Sequence, residues 1–541
     1  MRNQSEALEI GGDAAGRSSP LWILYPLVLA AAVSTLYIAT LMPGVGGETD
    51  TAKWQFVGKV WGVPHTTGYP LYVSLNHLFS HLPFGTLAWR INFMSAFFAV
   101  LAVVVLQRIL ANLLKSELIA FAGALLLAVL PLFWTFAVVA GVYSLNAFFI
   151  CLIVYFLFKW ADGNARKSGA GKMKFFYAAC AVYALSFGNH VTMITMLPAF
   201  VLFALATDRR AVLKPGTLLI LFAFIVVAAL QYSIPFIQTA AESPYLENRV
   251  SSFEDLRNLL TATGFRQHMF SGGVEGFFDS QLSDYLGFIV FEFTFLVFPL
   301  AAGGLFVLFR ERRRHCLFLL VFLAVNLLVT LNYYVLQVRY QWIPSYIIIA
   351  MFIAASVGLI RVIAPHPGRA ASAAASVCCS VIILLMAGYV MLANLPRIQA
   401  KRDKAMTRDK LADDIIDSLP PGGVMLASNY DDSMLLLYKM LGEERGREKH
   451  WRVWHDTSWK AANAEAVGGL LRGEKIFWGP LVVQDEYRGN HEIFFSAADK
   501  RLLDAAGFKS EPVDLPGDGG GKNIYGGKQV RIYKITAPPH H

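Results

Sequence analysis

Apolar runs of about 20 residues, each long enough for a helix to cross a bilayer core of roughly 30 Å, recur along most of this chain. We read about eleven such spans, near 21–42, 88–114, 117–138, 143–161, 174–189, 191–207, 216–237, 284–309, 316–336, 342–363 and 371–394. Only a polar Gly188-Asn189-His190 turn separates the fifth from the sixth. Of the 541 residues, 56% are apolar and 16% are charged, and the mean hydropathy is +0.49. A soluble core cannot absorb that much apolar surface, so most of the chain faces lipid. An intrinsically disordered chain, a disulfide scaffold and a cytosolic enzyme are excluded.

Loop charge orients the spans. The net charge of +9, from 47 Lys and Arg against 38 Asp and Glu, could suggest a nucleic-acid partner. The basic residues instead collect in short loops, at Arg108 and Lys115, 166–174, 208–210, 310–314 and 361–369. That is how cytoplasmic loops are marked, so no nucleic-acid partner is expected. Residues 1–20 are polar and Gly/Ser-rich, and no A-x-A-like cleavage site follows the first span. They read as a disordered cytoplasmic tail ahead of an uncleaved signal anchor. An odd number of spans then puts 43–87, the 188–190 turn, 238–283 and everything past about 395 on the outer face. The five cysteines all lie in apolar segments without metal-ligand spacing and read as small core residues.

Composition shifts at Leu395. Beyond it, short β-like runs at 424–428, 451–455 and 530–535 alternate with helical stretches at 431–441 and 501–506, punctuated by Gly and Pro. The organisation expected is a membrane domain over 21–394 and a small extracytoplasmic α/β domain over 395–541.

Chemistry concentrates in the first outer loop, 43–87. Trp54, Val57 and Trp61 fall on one face of a short helix, a placement that suits the lipid headgroup zone. Asp50 begins that helix and His65 follows it in a turn shaped by Pro and Gly. A carboxylate there could serve as general base on a hydroxyl. A nearby histidine or arginine could hold a phosphate leaving group. Equally, Asp50 could be only an N-cap and His65 only a turn residue.

The run Gly46-Gly47…Asp50-Thr51-Ala52-Lys53-Trp54-Gln55…Gly62-Val63-Pro64-His65-x-x-Gly68-Tyr69-Pro70-Leu71-Tyr72, followed by Arg90-x-Asn92-x-x-Ser95, resembles a signature of membrane glycosyltransferases. It is that of the bacterial branch of the protein O-mannosyltransferase-like family, in the GT-C superfamily. Weaker similarities continue at 142–146, 186–192 and 340–346. The resemblance implies a multi-span α-helical fold with an outer-face active site, a carboxylate in the first outer loop and polyprenyl-phosphate sugar donors. It makes Asp50 the expected catalytic base. His65, Tyr69 and Arg90 become shapers of the donor or acceptor site. Some relatives carry Glu at the position of Lys53, Pro at Thr66, Glu at Gly141 and Asp near Gln337. These departures put metal dependence in doubt and open the identity of sugar and acceptor. Lys53, one turn from Asp50, could pair with its carboxylate or contact phosphate.

Other candidates carry competing readings. Arg339, among Tyr333, Tyr334, Tyr340 and Trp342, could bind phosphate or anchor at the interface. Asn189 and His190 could line the site or simply satisfy a turn. In loop 238–283, Arg249, Arg257 and Arg266 mix with Glu242, Glu247, Glu254 and Asp255 as in an ordinary solvated loop. Residues 429–432 read as a helix cap, and Trp451, Trp454 and Trp459 as the core of the small domain.

The function expected is transfer of a sugar, such as a mannose-like hexose, from a polyprenyl-phosphate carrier to a hydroxyl. The acceptor would be an exported protein's Ser or Thr, or an envelope glycan or lipid. The expected location is the inner membrane, with the tail domain in the periplasm. No metal ligands are assigned, and dependence on a divalent ion stays open. The rivals are a transporter or flippase, which needs ionisable residues within the spans, and a non-catalytic envelope scaffold.

Overall fold

The computed structural model describes residues 20–46, 50–165, 173–262, 267–334, 338–363 and 369–418. Past 418 it describes 424–427, 430–445, 452–455, 493–496, 504, 507–513, 523–525, 528–530 and 532–537. Among these residues, eight helices are long and apolar enough to cross a membrane. They are Trp22–Ala39, Leu87–Leu114, Tyr143–Asn164, Val191–Val212, Pro215–Ala240, Arg313–Thr330, Val338–Gly358 and Ala373–Asp417. Two further spans are bent pairs, Glu117–Val129 with Pro131–Ala137 at 72° and Gly273–Phe293 with Val297–Glu311 at 93°.

Ten of the eleven expected spans are therefore present as long or bent helices. The fifth is shorter: Met173–Ser186 has 14 residues, about 21 Å of helix against a core of roughly 30 Å. The first bend follows from Pro131, which lacks an N–H and starts the second half of the pair. The Glu292 carboxylate accepts the N–H of Leu132 there, at 3.1 and 3.2 Å.

Val338–Gly358 is the axis of the bundle, with 94% of its apolar window buried. Neighbouring helices approach it closely because they present glycine. A Cβ on Gly304 would lie 1.6 Å from the Phe352 carbonyl oxygen, and one on Gly123 would lie 2.9 Å from Cβ of Ala354. Small residues at such crossings let backbones approach where the hydrophobic effect offers lipid-immersed helices little.

The last helix, Arg369–Ser418, runs unbroken through the composition shift at 395. Beyond it, β1 (Val424–Ala427), β2 (Arg452–His455) and β3 (Ile493–Ser496) pair in parallel, with β1 in the middle. Antiparallel β4 (Lys509–Val513) and β7 (Ile532–Ala537) complete a five-stranded sheet of order β2-β1-β3-β7-β4. β5 (Asn523–Tyr525) and β6 (Lys528–Val530) form a separate hairpin. This is the α/β unit expected. Trp451, Trp459, Asn429 and most of 501–506 lie outside the described residues.

The helical stretch Tyr430–Gly442 joins the two parts of the chain. It packs on Thr51–Val57 of the loop after the first span, and the Ala88 N–H donates to the Tyr438 hydroxyl at 3.0 Å. The buried Lys439 ammonium is held by Asp409, Asp413 and Glu443 at 2.6, 3.0 and 3.1 Å. The end of the long helix and the tail are thereby tied into one body beside the first loop.

Candidate active site

The segment Thr51–Val57 forms a helix whose seven residues are all buried. Gln55 locks it in place. Its carboxamide accepts the Gly46 N–H at 2.9 Å and donates to Asn92 Oδ1 at 3.0 Å. Asn92 also accepts the Ala140 N–H and donates to the Met42 carbonyl. Loop, third segment and first span share one polar brace.

The expectation that Trp54 and Val57 face the headgroup zone is corrected by this burial. Trp54 is 2% exposed, and its ring meets the edges of His65, Tyr69 and Tyr72, with centroids 5.5, 5.0 and 5.2 Å away. Trp54 packs instead on the later part of its own loop, where the Asn76 side chain also donates to the Trp54 carbonyl at 2.6 Å.

Asp50 occupies the N-cap position, yet its side chain makes no capping hydrogen bond. Its carboxylate turns instead toward Lys53, with Oδ1 3.2 Å from Nζ, and toward His65, with Oδ2 3.9 Å from Nε2. It stays a quarter exposed, whereas Lys53 is 1% exposed. Lys53 Nζ also lies 3.1 Å from Glu247 Oε2 and hydrogen-bonds His65 Nδ1.

An ammonium can only donate, so Nδ1 of His65 accepts and the ring proton sits on Nε2. That nitrogen is 3.2 Å from the Tyr69 hydroxyl, which in turn donates to the Thr66 carbonyl at 3.1 Å. Burial, then the Lys53 charge, pushes the His65 imidazole below its usual range against the pull of Asp50 and Glu247. His65 is therefore neutral near pH 7. Burial pushes the Glu247 carboxyl up, but Lys53 and His65 outweigh it and leave the group below its usual range.

Glu247 reaches the site from the long loop 238–283. The Val63 N–H donates to the Tyr245 carbonyl at 2.9 Å and the Glu247 N–H to the Val63 carbonyl at 2.8 Å, pairing the two loops. Gly62 permits this approach, because a Cβ there would stand 2.4 Å from the Tyr245 oxygen. The Tyr245 hydroxyl then donates to Glu247 Oε2 at 2.9 Å. The solvated-loop reading is corrected for Glu247. It holds for Glu254 and Arg257, an exposed pair at 3.1 Å; Arg266 lies outside the described residues.

The remaining candidates divide into two groups. His190 is brought in: its ring lies 5.6 Å from Tyr69 and 6.2 Å from Tyr143, and burial pushes its imidazole down to about 4. Asn189, fully buried, donates to the Val142 carbonyl at 3.2 Å. A small cavity beside them is lined by Tyr143, Asn146, His190, Thr192, Tyr340 and Gln341, among others. Arg90 points elsewhere, donating to the Leu82 carbonyl at 2.7 Å. Arg339 is exposed and lies over the Phe288 ring, 3.8 Å from its centroid.

Comparison with known proteins bears on the segment that carries this cluster. Residues 50–213 match the family of the protein O-mannosyl-transferase TMEM260 N-terminal domain. This segment is therefore similar to the N-terminal domain of the TMEM260-type O-mannosyl-transferases. The TMEM260-type protein O-mannosyl-transferase of Dictyostelium discoideum is 28% identical over 132 residues, 24% of this chain and 16% of that protein. That of Mus musculus is 27% identical over 186 residues, 34% of this chain and 26% of that protein. The chain thus aligns with about a quarter or less of these curated relatives. Among solved structures, ArnT from Cupriavidus metallidurans bound to undecaprenyl phosphate superposes with a TM-score of 0.60 at 11% identity, over 96% of this chain and 99% of that one. The fold is thus like that of ArnT, and the chain is an integral membrane protein.

The matched segment begins at Asp50 and contains Lys53, His65, Tyr69, Asn189 and His190. Sequence reasoning missed Glu247, the Gln55–Asn92 brace and the pair Tyr143 and Tyr340, whose rings stack 4.4 Å apart. The available signal for Glu247 was a Tyr-x-Glu flanked by Pro244 and Asn248, which a mixed-charge loop concealed.

Proposed function

We propose that this protein is a membrane glycosyltransferase that moves a sugar from a polyprenyl-phosphate carrier to a hydroxyl at the outer face of the membrane. One observation carries the reading: Asp50 opens a buried helix but leaves it uncapped, aiming a part-exposed carboxylate at a lysine and a neutral histidine. A carboxylate that abandons the local hydrogen bonds available to it is positioned for another partner.

In the reaction, the acceptor hydroxyl oxygen attacks the anomeric carbon as its proton passes to Asp50. The bond from that carbon to the carrier phosphate oxygen breaks, and the phosphate leaves with the electron pair. One displacement inverts the anomeric centre. Lys53 supplies positive charge beside the departing phosphate. His65, neutral with its proton on Nε2, donates a hydrogen bond. The aromatic walls Trp54, Tyr69, Tyr143 and Tyr340 offer stacking faces to a sugar ring.

The relatives' names support O-linked transfer of mannose, and a protein Ser or Thr is the acceptor favoured on that ground. The bound undecaprenyl phosphate of ArnT supports a polyprenyl carrier. The loop charges support an outer-face site in a bacterial inner membrane, with the tail domain on the same side. The test supplies membranes carrying the protein with radiolabelled polyprenyl-phosphate mannose and a set of exported-protein peptides and envelope glycans. Label transferred to a hydroxyl, with inverted configuration, is the expected result. Carrier consumed without any glycosylated product would overturn the reading.

A further inference from the structure

We propose that Lys53 is the resident cation of this site, occupying the place between two carboxylates and an imidazole that a divalent metal would otherwise take. Three donors surround its ammonium: Asp50 Oδ1 at 3.2 Å, Glu247 Oε2 at 3.1 Å and His65 Nδ1. Two carboxylates and one imidazole are a donor set suited to manganese(II) or zinc(II). They come from three separate stretches of chain, so the sequence gives no clustered ligand motif. As the side chains stand, no three His, Cys, Asp or Glu residues among those described close on a point that could hold a metal. The reason in this cluster is steric and electrostatic. The point of convergence is filled by Nζ on a side chain that is 1% exposed.

Charge arithmetic supports the assignment. Among the described residues, two carboxylates face this one ammonium. Removing the ammonium would leave two carboxylates facing each other across a buried gap, a costly arrangement that either takes up protons or recruits a cation. Metal–oxygen bonds are shorter than the present contacts, at about 2.0–2.2 Å. The two carboxylates would each have to move inward by about 1 Å. Asp50 sits at a helix start and Glu247 on a loop, where such a shift is available. The inference concerns the charge built into the cluster and does not depend on which reaction the site performs.

The test uses the full chain purified in detergent, freed of metal by chelation, with thermal unfolding followed with and without manganese(II) or zinc(II). Wild type is expected to show no metal-dependent shift. Lys53→Ala is expected to gain about 5 °C on adding metal. Lys53→Ala combined with Glu247→Gln is expected to lose most of that gain. A Lys53→Ala protein that folds only in the presence of metal also supports the proposal. Equal stabilisation of wild type, or none in a folded Lys53→Ala, overturns it. Should Lys53→Ala not fold at all, wild type decides alone. Unfolding temperature and any transfer activity unchanged by exhaustive chelation support the assignment, and a loss restored by metal refutes it.

Discussion

Two short helices, one in each of the loops that meet at this site, carry an acid at or near their start and end in opposite circumstances. Thr51–Val57 follows Asp50, and Phe253–Thr261 follows Ser252 with Asp255 in its first turn. Asp255 completes a capping box: its carboxylate accepts the N–H groups of Ser251 and Ser252, and Ser252 caps the Asp255 N–H. Those donors, Ser251 first, hold the Asp255 carboxyl below its usual range. Asp50 holds the N-cap position that Ser252 holds there, and its side chain makes no capping bond. The first helix is wholly buried by its neighbours, while the second presents Phe253 and its charged residues to solvent. An acid at a helix start is thus a capping group where the surroundings are solvent, and an ion-pair partner where a buried lysine draws it away.

Substitutions can break this contrast, beginning with the largest effect. Asp50→Asn removes the base and is expected to lower transfer by about 10³-fold, with membrane levels unchanged. Asp255→Asn at the other helix is expected to leave transfer intact. Glu247→Gln leaves Lys53 with one carboxylate partner fewer and should lower transfer roughly tenfold, a cost of about 1.4 kcal/mol in the barrier. Steady-state rates on the same acceptor compare the three.

Smaller effects sharpen the contrast through the packing that creates it. Gly62→Ala sets a methyl against the Tyr245 carbonyl and should cost roughly 1–3 kcal/mol in stability while withdrawing Glu247 from the cluster. Tyr438→Phe removes the partner of the Ala88 N–H, a loss of about 1–2 kcal/mol. Thermal unfolding in detergent reads both.

The pH dependence has a definite sign. His65 and Glu247 both have folded values below their ordinary ones, so the unfolded chain binds protons first as pH falls. Their stabilisation is complete above the ordinary imidazole value of 6.5 and declines below it, first through His65. The Glu247 share is lost below the ordinary 4.5, and Glu247→Gln should abolish that second decline.

Much of this was legible in the sequence. Apolar runs locate the helices because lipid leaves a backbone few other choices. The departures arise where the third dimension intervenes, as at Met173–Ser186, too short to span alone, and at the bends near Pro131 and Thr294. Asp50, Lys53, His65 and Tyr69 lie within 20 residues and could be grouped from sequence. Glu247 could not, since nearly 200 residues separate it from Lys53 and a two-residue β-bridge delivers it. Trp54 was misplaced for a different reason: a helical face that reads as interfacial is covered by its own loop folding back, with His65, Tyr69 and Tyr72 packed around the ring.

The central claim is that the uncapped Asp50 carboxylate takes the acceptor proton during sugar transfer. Its most direct test is the rate of mannose transfer from a synthetic polyprenyl-phosphate donor by purified wild type and Asp50→Asn, with unfolding temperatures matched. The account predicts transfer by wild type and a loss of about 10³-fold in the variant. Equal rates in the two proteins would contradict it and reduce Asp50 to the partner of a buried lysine.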